Sequence, residues 1–414
     1  MWCSVLIAEP MASREWKAKG GHVVEGKVMT VEGGEVSLER AEGQVVKVKL
    51  ELFVEEDQKA IREHFGLPDG PVPAAGSGAK AAEGLPFPMG KVHGPVDAGG
   101  SNYFVYVPKS LKEGREAPLL FYTNAGGGQG KMIQELTPAA ETLGWVLAIS
   151  VESSNKRGMA ANERHNQACL DHLLKNLPID KGRLHYTGNS GGGSEAFANS
   201  SIKKAFGVMP NIAYIPDVGL EKTEVVYGLG GGSDFNRYLT AFAAAKYKDK
   251  GFHRMTNKGH AAAPPEHRFD GMFWMHCHFL ADAKSGYDDE RRDFELATLT
   301  WLRGLKPNRA YSNAVLFRDI YKPDGQNRQV LDHMLKKLEK DSANPLYHEG
   351  LMAISEFSKK YFAPLGERGG SKIGFKDPKN AALVDRELMP KYGKVPELAP
   401  VLQAMRAQTA RLTK

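Results

Sequence analysis

The chain has 414 residues, 42% of them hydrophobic and 25% charged, with a net charge of +6. This is the composition of an ordinary globular protein with room for two or three domains. Its basic residues are scattered rather than grouped with aromatics, which argues against nucleic acid as a partner. Cys3, Cys169 and Cys277 lie too far apart for a disulfide framework, and no apolar run is long enough to cross a bilayer.

In chain order, residues 1–13 (MWCSVLIAEPMAS) combine a short apolar stretch with small residues, as at the end of a secretory signal, but lack a basic opening. A truncated export signal and a simple lead-in both fit. A secreted or periplasmic location and a cytoplasmic one therefore stay open. Residues 14–65 form a small β unit, with alternating runs at Val23–Val31, Glu35–Arg40 and Gln44–Leu50. Gly33-Gly34 and Glu42-Gly43 supply the hairpin turns, and a helix starts at Glu55-Glu56-Asp57. Arg14-x-Trp16, the Gly33–Leu38 centre, the Gly43–Leu50 run and Asp57-Gln58 resemble the SH3-like homology domain of yeast actin-assembly proteins and of bacterial exported enzymes. That resemblance implies a peptide or polymer ligand, or a spacer role. Residues 66–90, rich in Gly, Pro and Ala, read as a linker.

From residue 91 to 305 the pattern turns α/β. Strands are expected at Tyr103–Val107, Leu119–Thr123, Val146–Val151, Leu184–Thr187, Phe206–Met209, Val225–Leu229 and Phe252–Met255. Helical segments such as Asn162–Leu177 lie between them, which implies a largely parallel sheet covered by helices. Residues 306–414 are mostly helical, with apolar spacings of three and four in VLDHMLKKLEK and EGLMAISEFSKKYF.

Within the α/β region, Gly188-Asn189-Ser190-Gly191-Gly192 fits G-x-S-x-G, the nucleophile elbow. Its serine sits on a sharp strand-to-helix turn, and flanking glycines are needed because side chains there would strike the neighbouring backbone. The following helix would direct free N–H groups toward an acyl oxyanion. With 45 glycines in the chain, a given serine meets the pattern by chance about once in eighty. A strand before it, a helix after it and its place midway through the α/β series add weight. A Gly-rich turn without chemistry is the plain alternative. The other glycine clusters fail as nucleotide loops: Met132 follows Gly130-Lys131, and Ser233 stands where G-x-G-x-x-G needs its last glycine.

Ile179-Asp180-x-x-Arg183 followed by Gly188-x-Ser190-x-Gly192-Gly193, with Tyr106-x-Pro108, Pro118-Leu119-Leu120 and Asn124-Ala125-Gly126-Gly127-Gly128 upstream, resembles α/β-hydrolase esterases related to polyhydroxybutyrate depolymerases and to feruloyl and acetyl-xylan esterases. The resemblance covers about residues 95–305. It implies a serine hydrolase with its catalytic groups in the order Ser, acid, His: Ser190 as nucleophile, Asp234 after the strand EVVYGLGGGS, and His260 in NKGHAAAPP. Backbone N–H groups of Gly191 and of Ala125, Gly126 and Gly127 would form the oxyanion hole. The family's His-Gly in that loop is Asn124-Ala125 here. Asp180 and Arg183 read as a structural turn, while His267 and Asp217 compete for the base and acid roles.

His276-Cys277-His278 could set two imidazoles on one strand face as metal ligands, but burial is the simpler account, so neither metal nor organic cofactor is expected. Asp234 follows Ser190 by only 44 positions, leaving no room there for a cap domain. An open site for a large acylated polysaccharide or similar ester is the resulting expectation. A serine peptidase and an inactive hydrolase-fold binding protein are the alternatives.

Overall fold

A computed structural model of the chain describes residues 11–32, 35–40, 44–65, 84–213, 219–234, 236–283, 285–361 and 382–412. The chain divides into two compact units, one formed by residues 1–79 and 285–345, the other by 80–284 and 346–414. The helical stretch 306–414 is therefore shared between them.

In the first unit, β1 (Arg14–Lys17), β2 (Val23–Glu32), β3 (Glu35–Glu39) and β4 (Val45–Lys49) make an antiparallel sheet in sequential order. A bridge between Ala18 and Phe53 curls it into a half-barrel. Its core holds Trp16, Val28, Val36, Leu38 and Phe53, joined by Ile61 and Phe65 of α1 (Glu55–Phe65). The Arg14-x-Trp16…Asp57 pattern has a physical origin. Asp57 pairs with the Arg14 guanidinium at 2.8 Å and accepts the Lys17 N–H at 2.7 Å, while Arg14 lies 4.0 Å over the Trp16 ring. β1 was not anticipated from the sequence. The same unit contains the helices Asp288–Arg303, Pro307–Leu316 and Gly325–Leu338, where Glu295 accepts hydrogen bonds from Tyr321 and Asn327.

The second unit is built on an eight-stranded sheet: β5 (Val92–Asp97), β6 (Asn102–Tyr106), β7 (Ala117–Asn124), β8 (Val146–Ser150), β9 (Ile179–Asn189), β10 (Gly207–Asn211), β11 (Val225–Gly231) and β12 (Gly251–Thr256). Their order is β12-β11-β10-β9-β7-β8-β6-β5. β5–β6 and β6–β8 pair antiparallel and every other neighbour is parallel. The central strands are buried along almost their whole length, as a sheet covered on both faces requires. Helices fill the crossovers: α2 (Gly130–Gln134) and α3 (Thr137–Leu143) before β8, α4 (Met159–Asn176) before β9, α5 (Gly191–Ile202) before β10 and α6 (Arg237–Ala245) before β12. The reversal at β6-β8-β7-β9 is the α/β-hydrolase strand order. Asp180 and Arg183, read as a turn, lie inside β9 at an irregularity in its pairing with β7, where they form an ion pair of 2.7 Å and Arg183 bonds the Glu116 carbonyl.

α7 (Pro265–Asp282) corrects the strand expectation for FWMHCHFL. His276, Cys277 and His278 are consecutive residues of a helix, all buried. Trp145 donates its indole N–H to His276 Nδ1 at 2.8 Å. An apolar run without helical period looks the same in a buried helix and a buried strand. Cys169 is buried in α4 and, like Cys277, is a free thiol; Cys3 lies outside the described residues. Beyond residue 346 the chain returns to the sheet. In the helix Ala343–Tyr361, Ser355 accepts the His253 N–H at 3.0 Å, and Tyr347 accepts from Arg254 at 3.0 Å. None of the described helices is long and apolar enough to cross a membrane.

Candidate active site

The sharp turn at the end of β9 is written in the backbone. Ser190 has φ 54° and ψ −123°, a conformation that costs a non-glycine residue about 1–3 kcal/mol and survives only where surrounding bonds over-determine it. They do so here. The Ser190 N–H donates to the Asn211 carbonyl at 3.0 Å, and its own carbonyl accepts from Gly193 and Ser194 at 2.9 and 3.3 Å. A Cβ at Gly188 would lie 2.3 Å from the Gly192 oxygen, and one at Gly192 would lie 2.3 Å from the Thr123 oxygen. Both glycines are required by close backbone approach.

Two loops deliver polar groups to Ser190. Asp234 follows β11 and is fully buried, and its Oδ1 accepts the Asn236 N–H at 3.2 Å and lies 2.8 Å from His260 Nδ1. His260, in the loop after β12, sets Nε2 2.9 Å from Ser190 Oγ. With the ring proton on Nδ1 donated to the carboxylate, Nε2 is left as an acceptor for the serine hydroxyl. Burial raises the Asp234 carboxyl above its ordinary value, opposed by the hydrogen bonds from His260 and Asn236 and by the His260 and Arg237 charges. Gly231 explains part of the GLGGGS run: a Cβ there would meet the Gly259 and Lys258 oxygens at 2.3 and 2.5 Å, so the acid and histidine loops pack backbone to backbone. His267 lies in the first turn of α7. Asp217 falls outside the described residues.

On the opposite side of Ser190 the Asn124–Gly128 loop follows β7. Ala125 N–H donates to the Asn189 carbonyl at 3.4 Å and Gly127 N–H to Asn124 at 3.0 Å. Gly127 adopts φ 88°, a conformation suited to glycine. Among the described residues the N–H groups of Gly126 and Gly191 have no hydrogen-bond acceptor. Asn155, which the sequence did not single out, belongs to this wall. Its N–H donates to the Ala125 carbonyl at 2.9 Å, and a Cβ at Gly191 would fall 1.7 Å from its side-chain oxygen. Asn162 holds the preceding residue, accepting the Ser154 N–H at 3.1 Å and donating to its carbonyl at 2.9 Å, and also donates to Glu195 at 3.1 Å. Burial raises the Glu195 carboxyl.

Ser190 is half-buried and the His260 side chain is 33% exposed, whereas Asp234 is sealed. The exposed end of the relay is thus the end that would meet a substrate. No group of three or more His, Cys, Asp or Glu among the described residues is placed to hold a metal ion.

No protein-family model matches the chain, and no curated protein sequence matches it. Solved structures do. An esterase from Pyrobaculum calidifontis aligns at 12% identity over 51% of this chain and 85% of its own, with a TM-score of 0.34. An S-formylglutathione hydrolase from Staphylococcus aureus aligns at 12% identity over 46% of this chain and 99% of its own, TM-score 0.37. A puromycin-hydrolyzing peptidase from Mycobacterium tuberculosis aligns at 13% identity over 62% and 45%, TM-score 0.34. By its own strand order and its serine turn, the second unit has the α/β-hydrolase fold.

Proposed function

We propose that the chain is a carboxylic ester hydrolase that works through an acyl-enzyme on Ser190. The observation that carries this reading is the unbroken relay from a strained serine through His260 to a buried carboxylate, with contacts of 2.9 and 2.8 Å. Ser190 Oγ attacks the acyl carbon as its proton passes to His260 Nε2, and the carbonyl π electrons move onto oxygen. The N–H groups of Gly191, at the start of α5, and of Gly126, in the Ala125–Gly127 loop, receive that oxyanion. Losing one such donor costs about 3 kcal/mol of transition-state stabilisation. Collapse of the intermediate expels the alcohol, which takes the proton back from His260. Water then repeats the sequence on the acyl-enzyme and frees the acid. Asp234 keeps the ring oriented and stabilises its charged form.

The half-buried serine and the partly exposed histidine, and the short 190–234 segment with no space for a cap, favour an acyl group displayed on a large or polymeric substrate. A fluorophosphonate tests the chemistry: one equivalent should attach to the wild type at Ser190 and none to Ser190→Ala. A folded wild type that stays unlabelled refutes the reading. A p-nitrophenyl ester chain-length series, run beside acetylated and feruloylated xylan and peptide anilides, then identifies the acyl class and separates esterase from peptidase.

A further inference from the structure

We propose that Asn211 is the positioning residue that holds the Ser190 turn, the Asp234 loop and the His260 loop in one register; this rests on the ester-hydrolase reading for its kinetic consequences. Asn211 ends β10 and is 1% exposed. Three of its groups are engaged. Its carbonyl accepts the Ser190 N–H at 3.0 Å. Its side-chain Nδ2 donates to Asn189 Oδ1 at 2.7 Å, and its Oδ1 accepts the Ala263 N–H at 3.3 Å. One rigid carboxamide therefore joins the residue before the nucleophile to the loop carrying the histidine.

The next residue extends the connection to the acid. Ile212 has φ 48°, a left-handed conformation that is strongly disfavoured for a β-branched side chain. Its N–H donates to the Leu229 carbonyl at 2.8 Å and its carbonyl accepts from Asn236 Nδ2 at 2.9 Å. Asn236 in turn donates its backbone N–H to Asp234 Oδ1. The strain at Ile212 turns the chain end so that these contacts are made together, which is the signature of a backbone outlier retained for a purpose. The contacts made by Asn211 itself end beside the reacting groups rather than on them. Asn211 is thus a positioning residue whose effect is on the Ser190–His260 distance.

Asparagine suits this place because it offers a donor and an acceptor on one short planar group. Leucine keeps the shape and loses both contacts. Aspartate keeps the acceptor for Ala263 and recovers the second contact if the Asn189 amide reverses. The test compares Asn211→Leu, Asn211→Asp and Asn189→Ala, the last of which cuts the link to the serine turn together with the Asn189–Tyr122 hydrogen bond and leaves the Ala263 contact in place. The readouts are fluorophosphonate labelling rate and kcat and KM on p-nitrophenyl acetate, with near-UV circular dichroism to verify folding. A displacement of about 1 Å in reacting groups lowers rates on the order of 100-fold. Asn211→Leu should therefore lose labelling and kcat together on that scale while KM changes less than about threefold. Asn211→Asp should recover at least tenfold of the loss, and Asn189→Ala should fall between.

Folded Asn211→Leu labelling at the wild-type rate overturns the proposal. If that variant does not fold, wild-type rates in both others overturn it. Should the wild type itself resist labelling, the ester-hydrolase reading fails separately. The positioning claim is then decided by the low-field proton resonance of the His260–Asp234 bond, identified by its absence in His260→Gln. A shifted or lost resonance in Asn189→Ala or Asn211→Asp supports it, and an unchanged one in both overturns it.

Discussion

Replacing Asp234 with Asn gives the sharpest test of the relay because it changes charge and donor pattern with almost no change in shape. Asp234 Oδ1 lies 2.8 Å from His260 Nδ1 and also accepts the Asn236 N–H, while Oδ2 is buried with no hydrogen-bond partner among the described residues. An asparagine that turns its oxygen toward the ring and Asn236 must bury its NH2 where no acceptor waits. Turned the other way, its NH2 faces the Asn236 N–H and forces His260 to carry its proton on Nε2, so the ring cannot accept from Ser190. The imidazolium formed during attack also loses its counter-charge. Two unit charges about 4 Å apart at an effective dielectric near 20 attract by about 4 kcal/mol, and about 1.4 kcal/mol is tenfold in rate. Hydrolysis by Asp234→Asn should therefore fall at least about 1,000-fold in kcat/KM, with the tautomer penalty added. The assay is p-nitrophenyl acetate turnover with the labelling rate measured in parallel, on protein whose near-UV circular dichroism matches wild type. A loss below about tenfold would refute the assignment of Asp234 as the partner of His260.

Two further predictions concern the frame around the site. Gly192→Ala places a methyl 2.3 Å from the Thr123 oxygen and 2.5 Å from the Asn124 Cα, backbone atoms that cannot swing aside. The cost should be about 2–4 kcal/mol by urea unfolding, and a loss within 0.5 kcal/mol would contradict the close-packed turn. Acid should also destabilise the sheet unit through its buried imidazoles. Burial lowers His253 to about 3 and drives His185 and His276 well below the ordinary histidine value. The unfolded chain then binds protons that the folded chain refuses, so the contribution of these groups is full above about pH 6.5 and falls as pH drops toward the folded values. For His253 the loss at pH 5 is about 2 kcal/mol. Unfolding midpoints at pH 7.5 and 5 should differ less in His253→Gln than in wild type; an equal difference would remove His253 from the account.

The sheet was legible because its central strands are continuous apolar runs between turn signals: LLFYT, VLAIS and VVYGL each lie inside an observed strand. β1 and β5 were not, since REWK and VHGPVD are largely exposed and carry no clear alternation. FWMHCHFL misled because complete burial erases the helical period. Ser190 could be singled out from its strand–turn–helix context and Asp234 and His260 through the resemblance to the esterases, and the structure sets His260 within hydrogen-bond reach of both Ser190 and Asp234. Asn155, Asn162 and Asn211 could not. Their contacts depend on which strand ends become neighbours, β10 beside β9 for Asn211 and the loops after β7 and β8 for Asn155 and Asn162, and no local pattern around an asparagine encodes that adjacency.

β12 closes one side of the eight-stranded sheet, and an outermost strand ordinarily presents a row of backbone groups ready to pair with another chain. Here Ser355 takes up the His253 N–H, and the Lys359 ammonium donates to the Gly251 and Lys248 carbonyls at 3.0 and 3.2 Å. Side chains of one late helix thereby stand in for a missing ninth strand. Because they answer only a few rungs, each with a different chemical group, they end the ladder instead of copying it, and that flank offers no template for growth.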